Sequence, residues 1–166
     1  IVRRHEALRT RFEVIDGALA QVIDEWEPRR LQVEDLTSFP REERETEIRR
    51  LASEEAGTRF DLGSGPLMRV KALNIEEETH ILFLTMHHIV SDAWSMGVLV
   101  REVCSLYEAI SEGRESPLEE LEIQYPDYAL WQREFLSEGV PGGVLEREVE
   151  YWKEQLKDAA ILELPA

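Results

Sequence analysis

The sequence predicts an α+β sandwich, with helices laid over a largely antiparallel sheet. Two pairs of short strand-forming runs, each closed by turn residues, point to the sheet. Amphipathic helical stretches between and after them point to the covering layer. The two kinds of element are mixed along the chain, with no internal repeat and no low-complexity segment. At 166 residues the chain reads as one domain, 1–166, long enough for a real core.

The elements follow in order. Arg4 to Arg9 reads as the last turns of a helix whose beginning is missing. Thr10 to Asp24 predicts a hairpin, Phe12–Ile15 against Ala20–Ile23, because Asp16-Gly17 supplies two residues tolerant of positive φ. Pro40 falls early in a charged segment ending near Gly57, in which Ile48, Leu51, Ala52 and Glu55 read as helix; Pro is accepted in a first turn. Gly63-Ser64-Gly65-Pro66 is a turn. Leu67–Leu73 and His80–Ile89 predict a second hairpin around Glu76-Glu77-Glu78, a loop too polar to bury.

A central helix then starts at Ser91 or Asp92, either of them a good N-cap. Leu99, Val103, Leu106 and Ile110 fall on one face of it, with Arg101, Glu102 and Glu108 elsewhere. Glu112-Gly113 is its stop signal, and Arg114–Ile123 a solvated loop. Tyr125–Leu136 and Val144–Leu156 read as two further helices separated by Gly139–Gly143, and Ile161–Pro165 as an extended tail.

The charge balance excludes several functions. A formal net charge of −16 argues against nucleic-acid binding, which needs clustered Lys and Arg, and disfavours adsorption to anionic membranes. No stretch approaches the ~18 consecutive apolar residues of a membrane span. Cys104 is the only cysteine, which rules out an internal disulfide and a Cys-based zinc site, fits a reducing, cytoplasmic location, and reads as a thiol packed beside the apolar stripe. The opening Ile1-Val2-Arg3-Arg4-His5-Glu6 resembles neither a signal peptide nor a natural start, so the chain reads as a cut piece.

The chemistry concentrates in His87-His88-Ile89-Val90-Ser91-Asp92, where the strand-like run gives way to the central helix. Neighbouring side chains on a strand point to opposite faces, so one histidine is expected to be structural and the other free to handle a proton. His88 is expected on the open side of the sheet and His87 largely buried. The N–H groups that follow the N-cap form a local positive end, a candidate oxyanion site. Alone, the His-x-x-x-Asp spacing more often marks a satisfied core histidine pair with an N-cap Asp. A metal reading of His87, His88 and Asp92 fails, because the adjacent rings diverge and no second ligand cluster follows.

Three segments resemble one family. His87-His88-Ile89-Val90-Ser91-Asp92-Ala93-Trp94-Ser95 is similar to the His-His-x-x-x-Asp-Gly signature of nonribosomal peptide synthetase condensation domains. Arg4-His5-Glu6-Ala7-Leu8-Arg9-Thr10-Arg11-Phe12 and Tyr125-Pro126-Asp127-Tyr128-Ala129-Leu130-Trp131 resemble two other motifs of that family, in the same order. The likeness extends through Phe60-Asp61-Leu62 and Gly65-Pro66-Leu67.

The resemblance implies a chloramphenicol-acetyltransferase-like, two-layer fold and amide-bond formation between two carrier-bound aminoacyl or peptidyl thioesters. It also implies that the chain is an N-terminal half, with the start and the C-terminal half missing, and inactive alone. The implied partners are donor and acceptor peptidyl carrier domains, an adenylation domain and the other half. No cofactor is implied as bound directly; substrates ride on the 4′-phosphopantetheine of the carriers. His88 is implied to be the catalytic residue, taking the amine proton or orienting the amine. His87 is then structural, and Asp92 holds the loop through an arginine: Arg9, Arg4 or one of the missing half. Tyr128 and Trp131 are read as core residues that seat the following helix. The signature's glycine is Ala93 here, expected to lie in the first helical turn, where Ala is at ease. An epimerisation domain, a coenzyme A-dependent acyltransferase of the same superfamily, and a catalytically silent carrier-docking domain are the rival readings.

Overall fold

The structure, a computed structural model, describes residues 1–136 and 143–160. The chain divides into two compact units, Ile1–Gln124 and Tyr125–Ala166.

The first unit opens with a turn in which the His5 N–H donates to the Ile1 carbonyl, followed by a short 3₁₀ helix, Glu6–Arg9. His5 is extended (φ −106°, ψ 106°), so the helix expected over Arg4–Arg9 is broken before Glu6 and its remainder is a single tight turn. Strands β1 (Thr10–Ile15) and β2 (Ala18–Ile23) pair antiparallel, with Ile15 opposite Ala18. Asp16 (φ 52°) and Gly17 (φ 80°) both take the left-handed conformation that a two-residue hairpin of matching twist requires.

The second sheet has the order β3-β4-β5: Gln32–Asp35, Met68–Glu76 and Thr79–Met86. The β4–β5 hairpin is antiparallel, as expected. β3 was not anticipated; it pairs parallel with β4, Val33 opposite Ala72, and needs a crossover. Helix α1 (Arg41–Gly57) is that crossover, with Pro40 at its N-cap. Its Ile48 and Leu51 pack with Leu36, Leu73, Ile75, Ile81 and Phe83, which forms the hydrophobic core between helix and sheet. Leu73 is fully buried on the central strand.

Helix α2 (Ala93–Ser111) is capped by Asp92 and ends at Glu112, with Gly113 at φ 69°. Its buried residues are Leu99, Glu102 and Ala109, whereas Ile110 is 69% exposed. The inward stripe is therefore rotated from the all-apolar one and carries a glutamate. Cys104 is exposed, so the packed thiol is also corrected by that rotation.

The second unit holds α3 (Tyr125–Phe135) and α4 (Val144–Gln155). Tyr128 and Trp131 are 44% and 53% exposed rather than core. Their spacing puts them on one helix face, where the rings pack on each other with centroids 5.7 Å apart. The expected tail, Ile161–Pro165, and most of the Gly139–Gly143 connection lie outside the described residues. Among the described residues no helix is long and apolar enough to cross a membrane.

Candidate active site

Strand β5 ends at Met86, so the two histidines sit just past it, in the turn that leads to α2. Strand alternation is therefore not what separates them. His88 is exposed and His87 half-buried rather than largely buried. The backbone of His87 anchors the turn. Its N–H donates to the Leu67 carbonyl (3.0 Å), and its carbonyl accepts from the Val90 N–H (3.1 Å) and the Ser91 hydroxyl (3.2 Å).

The two rings are held in opposite tautomers. Nδ1 of His88 lies 3.1 Å from the Ser91 carbonyl oxygen, which can only accept, so this nitrogen carries the proton. In the neutral ring the lone pair is then on Nε2. Nδ1 of His87 accepts the Ile89 N–H at 3.0 Å, so its proton is on Nε2. The His88 ring thus offers a base, and the His87 ring is committed to the turn.

Asp92 and Ser95 form a capping box: the Ser95 N–H donates to Asp92 Oδ1 (2.8 Å) and the Asp92 N–H to the Ser95 hydroxyl (2.6 Å). Hydrogen bonds from the Ser95 backbone, the Ser95 side chain and the Trp94 backbone hold the Asp92 carboxyl below its usual range. Those N–H groups are spent on the cap, so the expected oxyanion site at this helix start is corrected: the Asp92 carboxylate already occupies it. Ala93 is the first helical residue, and Asp16 is the one non-glycine residue at positive φ among those described. The missing signature glycine therefore introduces no strain.

Neither arginine of the N-terminal segment reaches Asp92. Arg4 Nε pairs with Glu102 (3.1 Å) and Arg4 also donates to the Glu119 carbonyl. Arg9 pairs with Glu6 (3.1 Å) and donates to the Asp24 carbonyl (2.6 Å). Arg9 or Arg4 was expected as the partner of Asp92, with an arginine of the missing half as the other choice; the two arginines of this chain are engaged elsewhere.

Glu102 was missed. Its side chain is 9% exposed and takes Arg4 on one oxygen and His5 Nε2 on the other (2.6 Å). Burial pushes its carboxyl pKa up, but the hydrogen bonds from His5 and Arg4 outweigh that and hold it below the usual value. The pairing fastens residues 4 and 5 to α2, the helix that starts at Asp92. Its one sequence signal was the three-residue step from Leu99 to Glu102, which keeps both on one helix face.

A family model described as "Condensation domain" matches residues 1–166. A linear gramicidin synthase polypeptide of Brevibacillus parabrevis is 46% identical over 166 residues, which cover 99% of this chain and 2% of that protein. Chondramide synthase of Chondromyces crocatus is 43% identical, over 100% of this chain and 4% of its own length. Among solved structures, the epimerization domain from the third module of tyrocidine synthetase B superposes with a TM-score of 0.80 at 25% identity, over 99% of this chain and 36% of that one. The X-domain of teicoplanin biosynthesis, in complex with OxyB, gives a TM-score of 0.82 at 28% identity, over 99% and 35%. The chain thus spans a few per cent of these curated relatives and about a third of the solved chains it matches.

Proposed function

The chain belongs to the condensation-domain family of nonribosomal peptide synthetases, with its chloramphenicol-acetyltransferase-like fold, and on that premise we propose that it serves peptide-bond formation between carrier-bound thioesters. The observation that carries the reading is His88: an exposed imidazole whose Nδ1–H is tied to the Ser91 carbonyl, leaving Nε2 as a directed acceptor.

The reaction is attack of an acceptor α-amine on a donor thioester. An α-amino group has a pKa of about 8, so a useful fraction is neutral near pH 7 and a strong base is unnecessary. Nε2 of His88 accepts an N–H of the amine, which orients the nitrogen lone pair toward the carbonyl carbon. As the C–N bond forms, the amine proton passes to Nε2. The C–S bond then breaks, and the pantetheine sulfur leaves and takes up that proton. Both aminoacyl groups arrive on phosphopantetheine arms of carrier domains, loaded by adenylation domains, in the cytoplasm. His87 and Asp92 hold the turn and the helix start, and touch no reacting atom.

The test uses the intact polypeptide that carries this chain, with loaded donor and acceptor carriers. His88→Ala abolishes the amide product, read by mass spectrometry, with the melting temperature unchanged. Product formed at the parent rate by His88→Ala overturns the reading. Exchange of the donor Cα hydrogen with solvent deuterium, without amide formation, selects epimerisation instead.

A further inference from the structure

Resting on the reading of His88 as the group that meets the amine, we propose that Phe60 and Arg69 are positioning residues for it, acting through His87. The His87 ring meets the Phe60 ring in a T-shaped contact, centroids 5.8 Å apart and planes at 84°. The guanidinium of Arg69 lies over the Phe60 ring, 3.9 Å from its centroid. Arg69 is itself tied down. Its Nε donates to the Glu55 carboxylate at 2.6 Å, and its Nη2 to the carbonyls of Glu55 (3.1 Å) and Thr58 (3.0 Å). Glu55 belongs to α1 and Arg69 to β4, so the end of the crossover helix and the start of the central strand are clamped together behind Phe60.

The consequence runs outward along bonds already described. His87 holds the turn through its backbone and through Nδ1, which accepts the Ile89 N–H. The Ser91 hydroxyl hangs from the His87 carbonyl, and the Ser91 carbonyl orients the His88 ring. His88 is exposed, so the direction of its Nε2 depends on that turn keeping its shape. Phe60→Leu removes the flat surface against which both the guanidinium and the His87 ring are set. Phe60→Tyr retains it. The order of Glu55, Arg69, Phe60 and His87 is thus a support whose effect appears at an atom none of the first three touches.

A residue that merely stabilises the fold lowers the melting temperature and leaves turnover unchanged well below it. A positioning residue lowers kcat, because misplacing a catalytic group by about 1 Å can cost about 100-fold. In the intact polypeptide, Phe60→Leu lowers kcat about tenfold or more, with KM for the acceptor carrier unchanged and with Phe60→Tyr within about twofold of the parent. Glu55→Gln, which takes the charge out of the bond at Arg69 Nε and leaves the ring and the two backbone-carbonyl bonds in place, lowers kcat by about threefold or more, and it carries the test if Phe60→Leu does not fold. Parent kcat in Phe60→Leu or in Glu55→Gln, with His88→Ala inactive, overturns the positioning role and leaves the function standing. An active His88→Ala removes both.

Discussion

Glu102→Gln is the substitution whose outcome most directly tests the buried ion cluster. The change keeps size and shape and removes the charge that Arg4 and His5 share. Breaking a fully buried pair by neutralising one member costs about 3–5 kcal/mol. Here the Arg4 and His5 side chains are 15% and 23% exposed, and Arg4 keeps its bond to the Glu119 carbonyl, so part of that cost is recovered from solvent and backbone. The expected loss is about 2–3 kcal/mol, in line with charge-assisted hydrogen bonds. In a chain of this size that lowers Tm by about 4–12 °C. Thermal and urea unfolding followed by far-ultraviolet circular dichroism read it directly.

The pH dependence has a defined sign. The folded-state carboxyl of Glu102 lies below its ordinary 4.5, so its stabilisation is fully present above that value and is lost as the pH falls through the folded-state pKa. The part of the gap between parent and Glu102→Gln that comes from the Glu102 charge therefore closes in acid. Replacing both partners, Arg4→Met with Glu102→Leu, leaves no uncompensated charge on that pair and recovers much of the stability. A Tm for Glu102→Gln within about 1 °C of the parent, or strict additivity of the double replacement, refutes the reasoning.

Three further outcomes follow from the same structure. Asp92→Ala lowers Tm by a few degrees while Asp92→Asn and Asp92→Ser hold it, because the role seen is a helix cap; a Tm unchanged in Asp92→Ala counts against the cap. The folded-state carboxyl of Asp92 lies below its ordinary 3.8, so its capping strength is present above that value and lost as the pH falls through the folded-state pKa. Leu73→Ala, at a fully buried site between α1 and the sheet, costs about 2–5 kcal/mol by denaturant unfolding; a loss below about 1 kcal/mol means the core is not centred there. Gly17→Ala forces a side chain into φ 80° and costs about 1–2 kcal/mol, whereas a neutral effect means the hairpin turn differs from that seen.

What the sequence determined by itself was local. Asp16-Gly17 closed a hairpin because two residues tolerant of positive φ are a short-range requirement. Ser91 or Asp92 at one end and Glu112-Gly113 at the other marked the bounds of α2, because caps answer backbone groups within a turn; that the cap is Asp92, boxed with Ser95, came from the structure. The histidine pair stood out because adjacent proton-carrying groups before a helix start are uncommon, and the motifs carried the family with them.

Tertiary structure decided the rest. β3 is four residues long and pairs with β4 across a helix, so no periodicity within it announces a parallel partner. Glu102 reads as a solvated residue until Arg4, 98 positions away, arrives beside it. Burial of a charge is a property of the pair, and the pair exists only after folding. The tautomers of His87 and His88 follow the same rule. Which ring nitrogen keeps its proton is set by whether a carbonyl or an N–H lies within about 3 Å. The identical residue type in adjacent positions was therefore given opposite tautomers by the shape of one turn.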